Sequence, residues 1–169
     1  MKMTSAQASK LLRQLNDELR TLQVRDENSK SFLASLGEDV ESVRPSYDYA
    51  SMQEEQIKVE QKIRKLKHAV NVFNTNTVIP EYGFTIDEML VYLPQLQKRQ
   101  TKLFAMKDAL PKVRENVGFG RGTNVVDYRY ANYDIDLAEK DYKDLSAEIA
   151  RAQLALDTVN STAELEVDL

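Results

Sequence analysis

The chain has 169 residues, with 23 basic and 27 acidic side chains and a formal charge of -4. It has no cysteine and one histidine, which excludes disulfides, thiolate metal sites and histidine-pair zinc sites and argues against a serine-hydrolase triad. At 42% hydrophobic and 30% charged residues, it is too apolar for a disordered tail and too polar for a membrane protein.

The length suits one domain with a real core. No apolar run approaches the roughly 20 residues of a membrane span. The start, Met1-Lys2-Met3-Thr4-Ser5, leads into a polar helix without a signal-peptide apolar region, so a soluble cytoplasmic protein is expected.

Ala8, Leu12, Leu15, Leu19 and Leu22 recur at alternating steps of four and three, which places one apolar seam along a first helix. Ser5 is the expected N-cap, its hydroxyl free to accept from early backbone N–H groups. The seam fails around Asp26-Glu27-Asn28-Ser29, and Phe32, Leu33 and Leu36 could continue it for a turn or two. From Gly37 to Tyr49 the chain is acidic, contains Pro45 and has neither period, so it reads as a surface connection.

The second seam is stricter: Met52, Gln56, Val59, Ile63, Leu66, Val70 and Phe73, with Gln56 its one polar member. So narrow a stripe is the coiled-coil kind. Asn74-Thr75-Asn76-Thr77 closes the helix, because such side chains bond locally and compete with helix continuation.

Thr85-Ile86-Asp87-Glu88 fits a capping box, with Thr85 accepting from the Glu88 N–H and the Glu88 carboxylate reaching back. The return bond is expected to be the more exposed and the weaker. Phe84 and Met89 occupy the positions of a hydrophobic staple. The third seam runs through Met89, Leu93, Leu96, Gln100, Leu103 and Leu110, with Pro94 expected to kink or break it and Pro111 to close it.

Residues 112–124 read as a loop, followed by a strand through Val125-Val126-Asp127-Tyr128-Arg129-Tyr130, β-branched and aromatic with period two. Asn132 or Asp134 can cap the fourth helix, whose seam is Ile135, Ala138, Tyr142, Leu145, Ile149, Ala152, Leu156 and Val159. The end, Ala163 to Leu169, alternates apolar and acidic as a second strand, and the strand at 125–130 is its expected partner.

Charge is unevenly spread. Lys62, Arg64, Lys65 and Lys67 have no acid between them, while residues 131–169 hold ten acids and three bases. The basic run could bind phosphate or nucleic acid. The preferred reading sets it against the acidic last helix, since charge runs are usually solvated or paired faces. Gly118-Phe119-Gly120-Arg121-Gly122 could cradle a phosphate, with Arg121 adding charge. It follows a helix and precedes a strand, the reverse of a dinucleotide fingerprint, so a connector is the simpler account. Tyr128, Tyr130 and Tyr133 could form a base-stacking platform, but a half-buried strand edge against a helix explains them equally and is preferred.

His68 lies off its seam without an obvious carboxylate partner and reads as a solvated surface histidine. No Glu-x-x-His motif supports a di-metal bundle, since Lys65 stands three residues before His68. Asn71 and Asn74 near the end of the second helix, and Asn160 near the end of the fourth, are expected to cap helix ends rather than hold a small polar ligand.

Several segments together resemble the septicolysin-like family of small bacterial helical proteins. They are Asn71-Val72-Phe73-Asn74-Thr75-Asn76-Thr77, a turn at Gly83, Thr85-Ile86-Asp87-Glu88-Met89-Leu90, Gln153, and Asp157-Thr158-Val159-Asn160-Ser161-Thr162. The resemblance covers roughly residues 50–169. It departs at the family's arginine-aspartate pair, where this chain has Lys98-Arg99-Gln100 and no aspartate. The resemblance implies a long-helix coiled-coil assembly that oligomerises, and it carries over no catalytic residue.

The expected fold is mainly α, with long antiparallel helices in coiled-coil packing plus a small two-stranded β element. One domain is expected over 1–169, with helices about 5–25, 50–74, 86–110 and 133–160 and strands about 123–130 and 163–168. The expected function is non-enzymatic, structural or interaction-based, through homo-oligomerisation. The alternative is a nucleic-acid or phosphate-binding module using Lys62, Arg64, Lys65, Lys67 and Arg121. No cofactor, metal or membrane is expected, nucleic acid is disfavoured, and an unidentified protein partner is allowed for.

Overall fold

The strict seam at Met52–Phe73 becomes a single helix, α3 (Tyr49–Asn76), in the computed structural model, which describes residues 1–115 and 126–169. Met52, Val59, Ile63, Leu66 and Phe73 are buried, while the charged positions between them face water. Each such side chain removed from water contributes about 1.5–3 kcal/mol, so the seam rather than the charge decides which side α3 turns inward.

The chain, read above as one helical domain, gathers into two compact units: Met1–Thr77 with Thr158–Leu169, and Val78–Asp157. In the first, β1 (Lys2–Thr4) leads directly into α1 (Ser5–Ser29), a short α2 (Val40–Val43) interrupts the connection, and α3 returns. Asp26 near the end of α1 meets Gln53 and Gln56 near the start of α3, and Asn16 and Leu19 share a groove with Ile63 and Lys67. The two helices therefore run antiparallel.

Gln56, the polar member of the seam, is there for Asp26. The Asp26 carboxylate accepts from Tyr47 Oη at 2.5 Å, Gln56 Nε2 at 3.1 Å and Gln53 Nε2 at 3.4 Å. These bonds, the tyrosine's first, hold the carboxyl below its ordinary value. The same Asp26–Tyr47 bond pushes the phenol up to about 12.

Several expectations need correction here. The N-cap of α1 is Thr4 rather than Ser5: its hydroxyl accepts from Gln7 N–H while the Gln7 side chain takes the Thr4 N–H, a complete capping box. Leu33 and Leu36 do not prolong the seam; they lie in the connection, 96% and 108% exposed.

The terminal strand is β4 (Glu164–Glu166), and its partner is β1, not the strand at 125–130. Lys2, Met3 and Thr4 stand opposite Glu166, Leu165 and Glu164, burying Met3 and Leu165 and pairing Lys2 with Glu166 at 3.2 Å.

In the second unit, α4 (Ile86–Lys107) begins at the box read from sequence. Its seam residues Met89, Leu93 and Leu96 are buried. Pro94 does not break the helix: it sits on the exposed side, and α4 continues to Asp108, its C-cap. Ahead of it, Val78 bridges Thr85, and Gly83 takes a φ of 74°, which a residue without Cβ adopts freely.

Helix α5 (Ile135–Thr162) starts from Asp134, whose carboxylate accepts the Leu137 N–H at 3.1 Å. Within this unit α5 runs antiparallel to α4: Tyr92 bonds Glu148, Gln100 bonds Ser146, and Phe104 packs on Tyr142. The stretch after Pro111 opens with β2 (Lys112–Arg114) instead of a loop, and β2 pairs antiparallel with β3 (Tyr128–Tyr130). The expected strand residues 123–125 and the glycine-rich stretch 118–122 lie outside the described residues.

The fold is thus mainly helical, with long helices packed on one another and, among the described residues, two-stranded antiparallel sheets. None of the described helices is long and apolar enough to cross a membrane.

Candidate functional site

Lys62, Arg64, Lys65 and Lys67 all project from α3 and are exposed, on either side of the buried Ile63 and Leu66. Helical spacing divides them. Lys65 lines a groove of about 550 Å³ with His68, Val72, Phe73, Leu165, Val167 and Asp168. Arg64 and Lys67 line another of about 530 Å³ with Asn16, Leu19, Glu60 and Asn71. His68, the single histidine, reaches both grooves from the ridge between them.

The expected acidic partner for this run is not found within its own unit. Among the described residues none of the four cations has an ion-pair partner, and two acids of α5 pair within their own helix, Glu139 with Lys143 and Glu148 with Arg151. The elements that α3 packs on are α1 and β4. Opposite charge does line one groove in the other unit, where Arg99 and Lys102 of α4 face Asp141, Asp144 and Glu148 of α5 across about 450 Å³. Surface attraction is worth a few tenths of a kcal/mol per pair, too little to choose a packing partner against apolar seams.

The capping residues divide likewise. Thr85 and Glu88 form the full box: Thr85 N–H donates to Glu88 Oε2 at 2.7 Å, and Glu88 N–H donates to Thr85 Oγ1 at 3.3 Å. Asn71, Asn74 and Asn160 are not caps. Asn71 and Asn74 lie inside α3, whose C-cap is Thr77, and Asn160 lies inside α5, which runs to Thr162. The Oδ1 atoms of Asn74 and Asn160 are buried and accept no hydrogen bond among the described residues. Arg121 lies outside the described residues.

The ribbon of β2 and β3 was not legible as a site. Lys112 and Arg114 fell in a stretch read as loop, and the tyrosines were read as half-buried against a helix. That burial is not found: Tyr128 is 45% and Tyr130 62% exposed, and all six strand residues face solvent. Tyr133 is also exposed, and its hydroxyl donates to the Met106 carbonyl at 2.8 Å. A signal existed in the alternation of Lys112-Val113-Arg114, matched against Tyr128-Arg129-Tyr130.

Tyr82, Phe84 and Tyr92 form a close aromatic cluster with ring centroids 5.4–6.3 Å apart. Burial, then the neighbouring Glu148 carboxylate, raises both phenol pKa values. The rings fill their own space, so the cluster is packing. Among the described residues no group of three or more His, Cys, Asp or Glu side chains is placed to hold a metal ion.

No family model matches the chain, and no curated protein matches it. A solved structure does: a functionally unknown conserved protein from Corynebacterium diphtheriae, at 17% identity and a TM-score of 0.63, over 98% of this chain and 100% of that one. At that identity the likeness shows a shared fold.

Proposed function

We propose that the chain is a cytoplasmic, non-enzymatic scaffold that works by self-association, with its long helices meeting those of further copies in coiled-coil packing. The observation that carries this reading is apolar surface left uncovered. Leu33 and Leu36 stand fully in water, and Val91, Phe104 and Leu137 are 57%, 51% and 53% exposed on their helices. Apolar helix faces left in water are what partner helices cover, and the septicolysin-like resemblance points the same way.

Light scattering across the micromolar range tests it. A mass of at least two chains of 19.4 kDa is expected. Leu33→Glu combined with Leu36→Glu should lower that mass, whereas a monomer mass for the wild type throughout would reject the reading.

The unpaired cations of α3 favour a second reading, polyanion binding. Reversing Lys62, Lys65 and Lys67 to glutamate should then abolish a salt-sensitive shift of DNA or RNA in a gel. No shift by the wild type would dismiss it.

A further inference from the structure

The β2–β3 ribbon has two unlike faces. Its register sets Lys112 opposite Tyr130, Val113 opposite Arg129 and Arg114 opposite Tyr128. Alternation then gathers Lys112, Arg114, Tyr128 and Tyr130 on one face. The pairing runs one step further, with Glu115 N–H donating to the Asp127 carbonyl, so both acids fall on the other face, where Glu115 pairs with Arg129. The four side chains of the first face are cationic and aromatic.

Among the described residues the contacts of that face are its own, the Lys112 amine standing over its two tyrosine rings. Neither Lys112 nor Arg114 has an ion-pair partner, and neither phenol has a hydrogen-bond partner, among the described residues. A two-stranded ribbon is marginal in water, and this one has no buried side to support it. Exposed tyrosines held by such a ribbon contribute little to folding.

The spacing carries the argument furthest. Antiparallel residues two apart on one strand stand about 6.8 Å from each other. Stacked bases are about 3.4 Å apart, so one base sandwiched between two rings needs that same span. Tyr128 and Tyr130 are two apart on β3, and the Lys112 amine is 4.0 Å from one ring centroid and 5.4 Å from the other. A cation thus stands against both ring faces, where the π-system of a base would also be received.

We propose that this face binds single-stranded nucleic acid, with Tyr128 and Tyr130 stacking on bases and Lys112 and Arg114 meeting phosphates. Lys112 leaves the rings for the backbone when a base enters. The charge of the face complements a polyanion, and unpaired bases offer the flat surfaces that a duplex or a polyphosphate withholds. The proposal depends neither on self-association nor on the α3 cations.

Fluorescence anisotropy of the full chain with labelled oligo(dT), a duplex and inorganic polyphosphate tests it. Oligo(dT) should bind best and lose affinity as salt rises. Tyr130→Ala should weaken it at least about fivefold and Tyr130→Phe less than about twofold, since phenylalanine keeps the stacking ring. Arg114→Ala should lower the salt slope by about 0.7, the value of one phosphate contact on a single strand. Tyr130 is exposed, so the unfolding midpoint of each variant should match wild type and separate binding from folding.

No binding of oligo(dT) would overturn the proposal, as would equal binding by Tyr130→Ala. Binding lost on reversal of Lys62 and Lys65 but kept in Tyr130→Ala would assign the site to α3 instead. A fall in solution mass for Tyr130→Ala without any oligo(dT) binding would make the face a contact between copies.

Discussion

Removing the Thr85 hydroxyl takes away two of the three bonds that tie the start of α4 together. Glu88 N–H loses its acceptor at 3.3 Å, and the Glu88 carboxylate loses the hydroxyl that donates to it at 3.0 Å. The third bond, Thr85 N–H to Glu88 Oε2 at 2.7 Å, is made by the backbone and survives. The first bond is long and the site half-exposed, so Thr85→Ala should cost about 0.5–1 kcal/mol, the lower part of the range for an N-cap. For a chain of this size that is about 2–4 °C of melting temperature per kcal/mol. Thr85→Ser keeps the acceptor and should be nearly neutral.

The geometry reverses one expectation drawn from sequence. The return bond is the shorter, and Glu88 Oε2 takes both the N–H and the hydroxyl of Thr85, so Glu88→Ala should cost at least as much as Thr85→Ala. Urea denaturation of the three variants and the parent, at one pH and protein concentration, reads the order. Thr85→Ala as stable as the parent, or Glu88→Ala clearly milder than Thr85→Ala, would show that the box does not hold this helix end.

Leu66 is 0% exposed, so Leu66→Ala should lose about 2–5 kcal/mol, while Lys65→Ala beside it should stay within about 0.5 kcal/mol in the same denaturation experiment. Pro94→Ala restores an N–H for the Leu90 carbonyl on an exposed face and should raise stability by about 1–3 kcal/mol; an unchanged midpoint would mean that α4 already accommodates the ring without loss. Asp26 is held below its ordinary pKa by Tyr47 first and then Gln56. Its contribution is therefore complete above the unfolded value of about 3.9 and lost as pH falls through the lower folded one. Tyr47→Phe should shrink that acid-side loss, as measured by denaturation from pH 6 down to about pH 2, and an unaltered pH profile would remove Asp26 from the account.

The seams were readable because burial repeats with the helix. Met52, Val59, Ile63, Leu66 and Phe73 satisfied the same spacing in the sequence that buries them on the side of α3 that meets α1 and β4. Asp26 shows where that reading stops: Gln56 looked like a flaw in the stripe and is a ligand to a carboxylate thirty residues earlier. The box at Thr4 and Gln7 had its signature in plain view, yet the neighbouring hydroxyl of Ser5 drew the assignment one residue on. Three-residue strands such as Lys2–Thr4 carry too few side chains for a period to show, so the true partner of β4 was invisible. The ribbon face was missed for a related reason. Tyrosine is an ordinary strand former, and whether a helix lies beneath the strand is decided elsewhere in the chain.

The pairing of β1 with β4 also sets an order of events. Strand β1 is synthesised before the whole Val78–Asp157 unit and β4 after it. That unit is continuous in sequence and can form as it emerges. Helices α1 and α3 can meet within residues 1–77, but Met3 of β1 stays uncovered until Leu165 arrives. Closing a loop of about 160 unstructured residues costs about 4.5 kcal/mol beyond a constant, and a middle unit that has already collapsed shortens the path that must close. A released chain truncated before Glu164 should therefore keep a protease-resistant middle while β1 loses its protection, the reverse of the usual N-terminal-first sequence.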